Sequence, residues 1–176
     1  MNLALRVEHQ NSLRPEQAPI FYDLCKNIID DAYHEAGYFD GPNSELGELS
    51  DYASTTAAKV IERWANPAEK IQAYVAYIAQ EPIGFILFAE KRIGASIKIY
   101  IAEFGVAERS RGVGAILIKK VLNHYSVGTE FCAVTRVFNQ RAKSFYLKNG
   151  ANHMSAFEVE ALGYDPGVYC GFKLNK

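Results

Sequence analysis

The sequence predicts a layered α/β or α+β fold, a mixed sheet of about seven strands flanked by about four helices. Three observations carry this. Seven short segments are rich in apolar, β-branched and aromatic residues and are bounded by turn formers. Four others read as helices, from apolar residues three or four apart and from cap or stop residues at their ends. At the centre, Ile97 to Ala115 runs as a strand, a glycine-bearing turn and the start of a helix.

Taken in order, Leu3 to Glu8 alternates apolar and polar residues and reads as the first strand. Pro15 and Glu16 open a helix to about Glu35, with Ile20, Leu24, Ile28 and Ala32 as its core stripe and Gly37 as its stop. Residues 37–50 read as loop, on Gly41, Pro42, Asn43, Ser44 and Gly47. Asp51 caps a second helix from Tyr52 to about Asn66, and Pro67 stops it. Ile71 to Ala79 is a continuous apolar strand, Gln80-Glu81-Pro82 turns the chain, and Ile83 to Ala89 returns as its hairpin partner. The helix after the central strand runs from Gly112 to about Tyr125, with Val113, Ile116, Leu117 and Val121 toward the sheet. Phe131 to Val137 is a further buried strand. Asn139 caps a short helix, Gln140 to Asn149, with Ala142, Phe145, Tyr146 and Asn149 on one stripe and Gly150 at its close. Phe157 to Leu162 and Tyr169 to Leu174 read as a last pair of strands, joined through Gly163, Asp165, Pro166 and Gly167. No repeat or linker divides the chain, so one domain is expected over residues 1–176.

A chain of 176 residues can bury roughly 70% of its unfolded surface, enough for a real core. No apolar run approaches the roughly 20 residues of a membrane span. Met1 to Gln10 carries Arg6, Glu8 and His9 in place of a leader's apolar stretch. Cys25, Cys132 and Cys170 are widely spaced and odd in number, as expected of reduced, mostly buried thiols in a cytoplasmic protein. The histidines at 9, 34, 124 and 153 form no paired motif and zinc spacing is absent, so no metal site is expected.

Charge is unevenly divided. Residues 91–148 carry eleven Lys and Arg against three Glu, and the remainder eight against seventeen acids. A positive segment that holds a glycine loop suits a polyanionic small molecule, although two solvated faces of opposite sign would give the same count. A net charge of −1 argues against nucleic acid. Between Asp30 and Asp51 stand seven acids (Asp30, Asp31, Glu35, Asp40, Glu45, Glu48, Asp51) and no Lys or Arg, interleaved with Tyr33, Tyr38, Phe39 and Tyr52. This stretch fits one wall of a pocket for a cationic substrate, or a solvated helix face and loop.

The central segment is a device for holding phosphate. The first N–H groups of a helix lack partners inside it, and the helix dipole adds partial positive charge there. Gly112 and Gly114 let an anion approach the backbone. The dinucleotide fingerprint would need a third glycine where Leu117 stands, and the Walker sequence is absent. What remains is R-x-x-G-x-G at a strand-to-helix junction.

These pieces together resemble the GNAT superfamily of acyl-CoA-dependent N-acyltransferases. The hairpin AYIAQEPIGFILF is similar to the family's second and third strands, with Gly84-Phe85 at the usual place. Arg109-Ser110-Arg111-Gly112-Val113-Gly114 fits its R/Q-x-x-G-x-G/A pyrophosphate loop. Asn139-Gln140-Arg141-Ala142-Lys143-Ser144-Phe145-Tyr146-Leu147-Lys148-Asn149-Gly150 fits its N-x-x-A-x-x-F-Y-x-x-x-G pattern. The resemblance covers residues 71–174, the expected acyl-CoA-binding core, and is weak over 1–70, the substrate-side half that varies in the family.

The resemblance implies acetyl-CoA, or another acyl-CoA, clamped between two splayed parallel strands. Backbone N–H groups of Ser110, Arg111, Gly112, Val113, Gly114 and Ala115 would hold the pyrophosphate, with charge-assisted bonds from Arg109 and Arg111. The strand edge from Ala102 to Phe104 would pair with the amide-rich pantetheine arm, Gly105 would form the bulge or turn that ends regular pairing, and Asn139 would touch the same arm. Tyr146 is expected as the acid that protonates the departing thiolate. Glu103 is expected as the base, directly or through water; Val134 stands where some members carry a carboxylate on the neighbouring strand, so direct attack by a polarised amine with water as the proton relay is the alternative. No Ser, Cys or His arrangement supports a covalent intermediate. The expected activity is acetyl transfer from acetyl-CoA to a primary amine of a small molecule or peptide. A protein N-terminus or lysine as acceptor, and a non-catalytic acyl-CoA-binding module, are the alternatives. Dimers are common in the family, and nothing in the sequence marks an interface.

Overall fold

The computed structural model describes residues 4–37, 49–107 and 112–175. Strand β1 (Leu5–Gln10) leads through a 3-10 turn (Pro15–Gln17) into helix α1 (Ala18–Glu35), and helix α2 (Leu49–Ala65) follows. Strands β2 (Gln72–Ile78), β3 (Glu81–Ile93) and β4 (Ser96–Val106) form a meander. Helix α3 (Val113–His124), strand β5 (Glu130–Arg136) and helix α4 (Gln140–Lys148) come next. Strand β6 (Asn152–His153), helix α5 (Ala156–Ala161) and strand β7 (Tyr169–Asn175) complete the chain. The seven strands form one sheet in the order β1-β2-β3-β4-β5-β7-β6, antiparallel except for β4 against β5. The expected mixed layered fold is therefore present, with five α-helices among the described residues instead of about four.

Local expectations are corrected at several places; the β2–β3 turn lies at Ala79 and Gln80, with Glu81 and Pro82 already paired to Ile78 and Tyr77. Phe157 to Leu162 alternates like a strand, yet residues 156–161 form α5. Ser155 and Glu158 make a capping box, with Ser155 N–H donating to the Glu158 carboxylate at 2.8 Å, and this fixes a helix start. The two-residue β6 takes the expected place beside β7. In α1 the buried stripe is Phe21, Cys25, Ile29 and Tyr33, one residue past the expected one. Both stripes have i, i+4 spacing, and the aromatic pair Phe21 and Tyr33 brings more area to bury. Ile20 is left 53% exposed, whereas Leu24, Ile28 and Ala32 pack half-buried at the stripe's side. In α3, Ile118 and not Ile116 joins Val113, Leu117 and Val121 in the core. Helix α2 begins at Leu49, so Asp51 lies in its first turn, where a carboxylate suits the dipole, and not at its cap.

Alternation along β3 divides the core into two layers. Phe85 and Leu87 meet α1 and α2 through Phe21, Ile29, Ala57 and Trp64. Ile86 and Phe88 meet the α3 side with Leu117, Ile118, Val121, Phe131 and Tyr146.

The two parallel strands soon part. They pair only from Ile99 opposite Phe131 to Ile101 opposite Ala133. Beyond this β4 keeps to β3 as far as Val106, and β5 keeps to β7 as far as Arg136 opposite Tyr169. The bulge lies at Ala102: Leu87 faces Glu103 and Phe88 faces Ile101, leaving Ala102 between them. Gly105, the expected bulge, stays in register with Phe85. Its missing side chain instead admits α1, since a Cβ there would come within 2.8 Å of Ile28 Cδ1 and Cγ2. Gly105→Ala is expected to lower stability by about 1–3 kcal/mol in denaturant titrations. A double-mutant cycle with Ile28→Ala should return a favourable coupling, because the smaller partner leaves room for the new methyl.

Candidate active site

A cleft of about 360 Å³ opens where β4 ends and α3 begins. Phe104, Gly105, Val106 and Ala107 line it from the strand, Gly112, Gly114 and Ala115 from the helix start, and Asn139, Ala142 and Phe145 from α4 and its cap. Gly112 is the N-cap of α3 at φ +76, a left-handed conformation that glycine takes without strain. A Cβ on Gly114 would lie 3.0 Å from Phe145 Cε2 and 3.2 Å from Phe104 Cζ, so its absence lets α3 start against that ring pair. Ile116 N–H bonds back to Gly112 O at 3.2 Å, leaving the amides before it as the open donors of the helix. Val113 turns its side chain into the core, 3% exposed, and unlike Gly112, Gly114 and Ala115 it does not line the cleft. Arg109, Ser110 and Arg111 lie outside the described residues.

A chamber of about 380 Å³ lies deeper, between the parted strands and the helices α1 and α2. It shares Ile28, Ala32, Phe104, Asn139 and Ala142 with the outer cleft, so the two spaces are neighbours across these residues. Ala102, Glu103 and Tyr146 line it. Asn139 borders both spaces while its Oδ1 accepts from Ala142 N–H at 2.9 Å, capping α4 as expected.

Tyr146 comes from the opposite face of the sheet. It is 4% exposed, stacks on Phe172 with ring centroids 5.1 Å apart, and reaches the chamber where β4 and β5 separate. Burial, aided by the Glu103 charge, holds its phenol above the ordinary range, so it keeps its proton at neutral pH. Desolvation likewise pushes the Glu103 carboxyl up to about 7, against the opposing pull of its hydrogen bond with the Phe104 backbone and of the Arg63 charge. An acid and a carboxylate that titrates near neutrality thus border one space.

The remaining walls are tyrosines and cations that sequence reasoning did not single out as one site. Tyr33 and Tyr52 share a 2.7 Å hydroxyl contact, and Tyr100 and Tyr164 one of 2.6 Å; all four line the chamber with Tyr169. Arg136 lies over the Tyr169 ring at 4.5 Å. Burial works against its charge, and its hydrogen bond to Tyr52 and the nearby phenols hold its pKa above the usual value all the same. These residues are more than a hundred positions apart at the extremes, and no local pattern joins them. Tyr33 and Tyr52 were legible as aromatic members of the acidic stretch. The described acids of that stretch lie elsewhere: Asp30 pairs with Lys26, Glu35 pairs with Arg141, Asp31 borders the outer cleft, and Asp51 is exposed. Tyr38, Phe39, Asp40, Glu45 and Glu48 lie outside the described residues.

The family model of the acetyltransferase (GNAT) family matches residues 29–151. That span takes in the parted strands, the glycine turn and α4, and the chain belongs to the GNAT acetyltransferase family, a family of acyltransferases. No curated protein matches it. Among solved structures it is similar to PaiA N-acetyltransferase from Thermoplasma acidophilum in complex with coenzyme A, at 14% identity and TM-score 0.68 over 97% of this chain and 99% of that one. It is also similar to Arabidopsis thaliana NAA60 in complex with a bisubstrate analogue, at 15% identity and TM-score 0.62 over 97% and 98%. An acetyltransferase from Thermus thermophilus matches over 100% of both chains at 15% identity and TM-score 0.63. At these identities the likeness is one of fold. No helix among the described residues is long and apolar enough to cross a membrane.

The described residues fit the family's acetyl-CoA donor. The β4 edge past Ile101 has no strand partner on the β5 side, which suits an amide-bearing arm, and the left-handed Gly112 at a helix N-terminus suits phosphate.

The raised Glu103 pKa has a consequence for folding. Its folded value, about 7, exceeds the 4.5 of a free carboxyl, so the native protein binds a proton that the unfolded chain has lost. Stability therefore falls as pH rises through that window and is flat above it. Glu103→Gln should match the parent in denaturant titrations near pH 4 and exceed it by about 3 kcal/mol near pH 8. A constant difference at both pH values would contradict the desolvated carboxyl.

Proposed function

We propose that this protein moves an acetyl group from acetyl-CoA to a primary amine by direct attack, with Tyr146 as general acid and Glu103 as general base. The observation that carries this reading is that both residues border one chamber, and that this chamber shares Ile28, Ala32, Phe104, Asn139 and Ala142 as walls with the cleft that Gly112 and Gly114 line. Bound acetyl-CoA would supply the activated thioester. The α3 amides from Gly112 to Ala115, with Arg109, Ser110 and Arg111, would hold its diphosphate. Ala102, Phe104 and Asn139 would flank its arm.

An amine attacks only when neutral, and Glu103, titrating near 7, is matched to take its proton at physiological pH, directly or through water. Tyr146 gives its proton to the thiolate as the thioester breaks. The desolvation that raises the phenol also raises the proton affinity of a thiolate released beside it. Residues 71–174 carry the donor side of this arrangement, and α1 and α2 furnish the acceptor side through Tyr33 and Tyr52.

Free thiol released from acetyl-CoA over a panel of amines tests the reading. Tyr146→Phe should lower turnover by roughly 10²–10⁴-fold with coenzyme A affinity little changed. Unchanged turnover would remove Tyr146 from the role. Gly112→Asp should act the other way, weakening coenzyme A binding by placing a negative side chain in the phosphate path. Equal affinity in a calorimetric titration would remove the turn from the binding site.

A further inference from the structure

We propose that the amine acceptor carries an anionic group, a carboxylate in the manner of an α-amino acid, and that Arg136 pairs with it inside the chamber. This rests on the acetyl-transfer reading above and adds the class of acceptor.

Arg136 is the last residue of β5, on the strand that leans away from β4. It is half-buried and lines the chamber. Its neighbours are phenols: the Tyr169 ring beneath the guanidinium and the Tyr52 and Tyr33 hydroxyls hydrogen-bonded to it. No carboxylate among the described residues lies within ion-pair distance of it. The more exposed Arg6, Arg14, Arg63 and Arg141 each have one. A partly desolvated guanidinium without a counter-charge is costly. Its planar fork offers five donors, and a carboxylate takes two of them at once.

The wider charge of the chamber points the same way. Lys59, Arg63 and Arg136 line it against one carboxylate, Glu103, among the described residues, and with Arg63 paired to Glu69 at 3.6 Å the balance left is Lys59 and Arg136 against Glu103. Asp30 and Glu35 of α1 do not line it and are paired with Lys26 and Arg141. A polycation would meet repulsion here, and an amine with an adjacent anion would not. Ile101 and Ala133 are the last paired residues of the two strands. Glu103 therefore stands two residues up one arm of the fork and Arg136 three residues up the other. An acceptor lying across the fork presents its amine to Glu103 and Tyr146 and its carboxylate to Arg136.

The test sets common α-amino acids against their α-amides, with spermidine as a cationic comparator, reading thiol release from acetyl-CoA. The amide's amine is less basic and more readily neutral, so nucleophilicity alone would favour it. Preference for the acid by about tenfold or more in kcat/KM is expected. Arg136→Gln should raise KM for the acid by about 10- to 100-fold, leave kcat and coenzyme A affinity little changed, and leave the amide's KM where it was. Arg136→Lys should recover part of the loss, as a charge without the fork. If amides or spermidine react as well as the acids, or if Arg136→Gln changes acid and amide alike, the inference is overturned and acetyl transfer stands. If coenzyme A binds but no amine releases thiol, both are overturned.

Discussion

The site exists because two neighbouring strands obey different partners. Strand β5 is held along its whole length by β7, from Glu130 opposite Asn175 to Arg136 opposite Tyr169. Strand β4 is held by β3 as far as Val106. Between them only three residue pairs remain, and the bulge at Ala102 follows immediately. Backbone groups cannot be buried without partners, so an edge opened inside a sheet must be satisfied by solvent or by a ligand. The same opening lets Tyr146, anchored in one core layer, reach a chamber built mostly by the other. Gly105 and Gly114 hold the edges of the opening: one admits Ile28 of α1 and the other admits the Phe104 and Phe145 rings.

Burial then sets the chemistry of what the opening exposes. Glu103 moves toward neutrality and Tyr146 moves away from it, both chiefly through desolvation. Two groups that would be an ionised carboxylate and an ordinary phenol in water become a carboxyl that titrates near physiological pH and a phenol that keeps its proton. The tyrosines around them are tied in pairs, Tyr33 with Tyr52 and Tyr100 with Tyr164, which fixes the chamber's shape without adding charge.

Local chemistry is what the sequence made legible. The Asn139 cap and the Gly112 turn are each written within a few residues and form where expected, and the β2–β3 hairpin forms with its turn shifted to Ala79 and Gln80, since Glu81 and Pro82 already pair in β3. Phe157 to Leu162 failed because a two-residue alternation competed with the Ser155 and Glu158 capping box, and the box prevailed. Phe21 prevailed over Ile20 because two equally spaced stripes run along α1 and only area decides between them. The part of the candidate site from Ala102 to Tyr146 on β4, α3 and α4 lies within about fifty residues and was readable as motifs. The rest of the chamber wall draws on α1, α2, β5 and the approach to β7. Arg136 and Tyr169 meet only because β5 and β7 are adjacent in the sheet, an order that no local pattern encodes.

Backbone hydrogen exchange with and without coenzyme A tests the central claim most directly. If the parted β4 edge and the α3 N-terminus receive the cofactor, amides in residues 102–106 and 113–116 will slow on binding, and those in β1 and β6 at the outer edges of the sheet will not. Saturating coenzyme A with exchange unchanged over residues 102–106 would contradict the account.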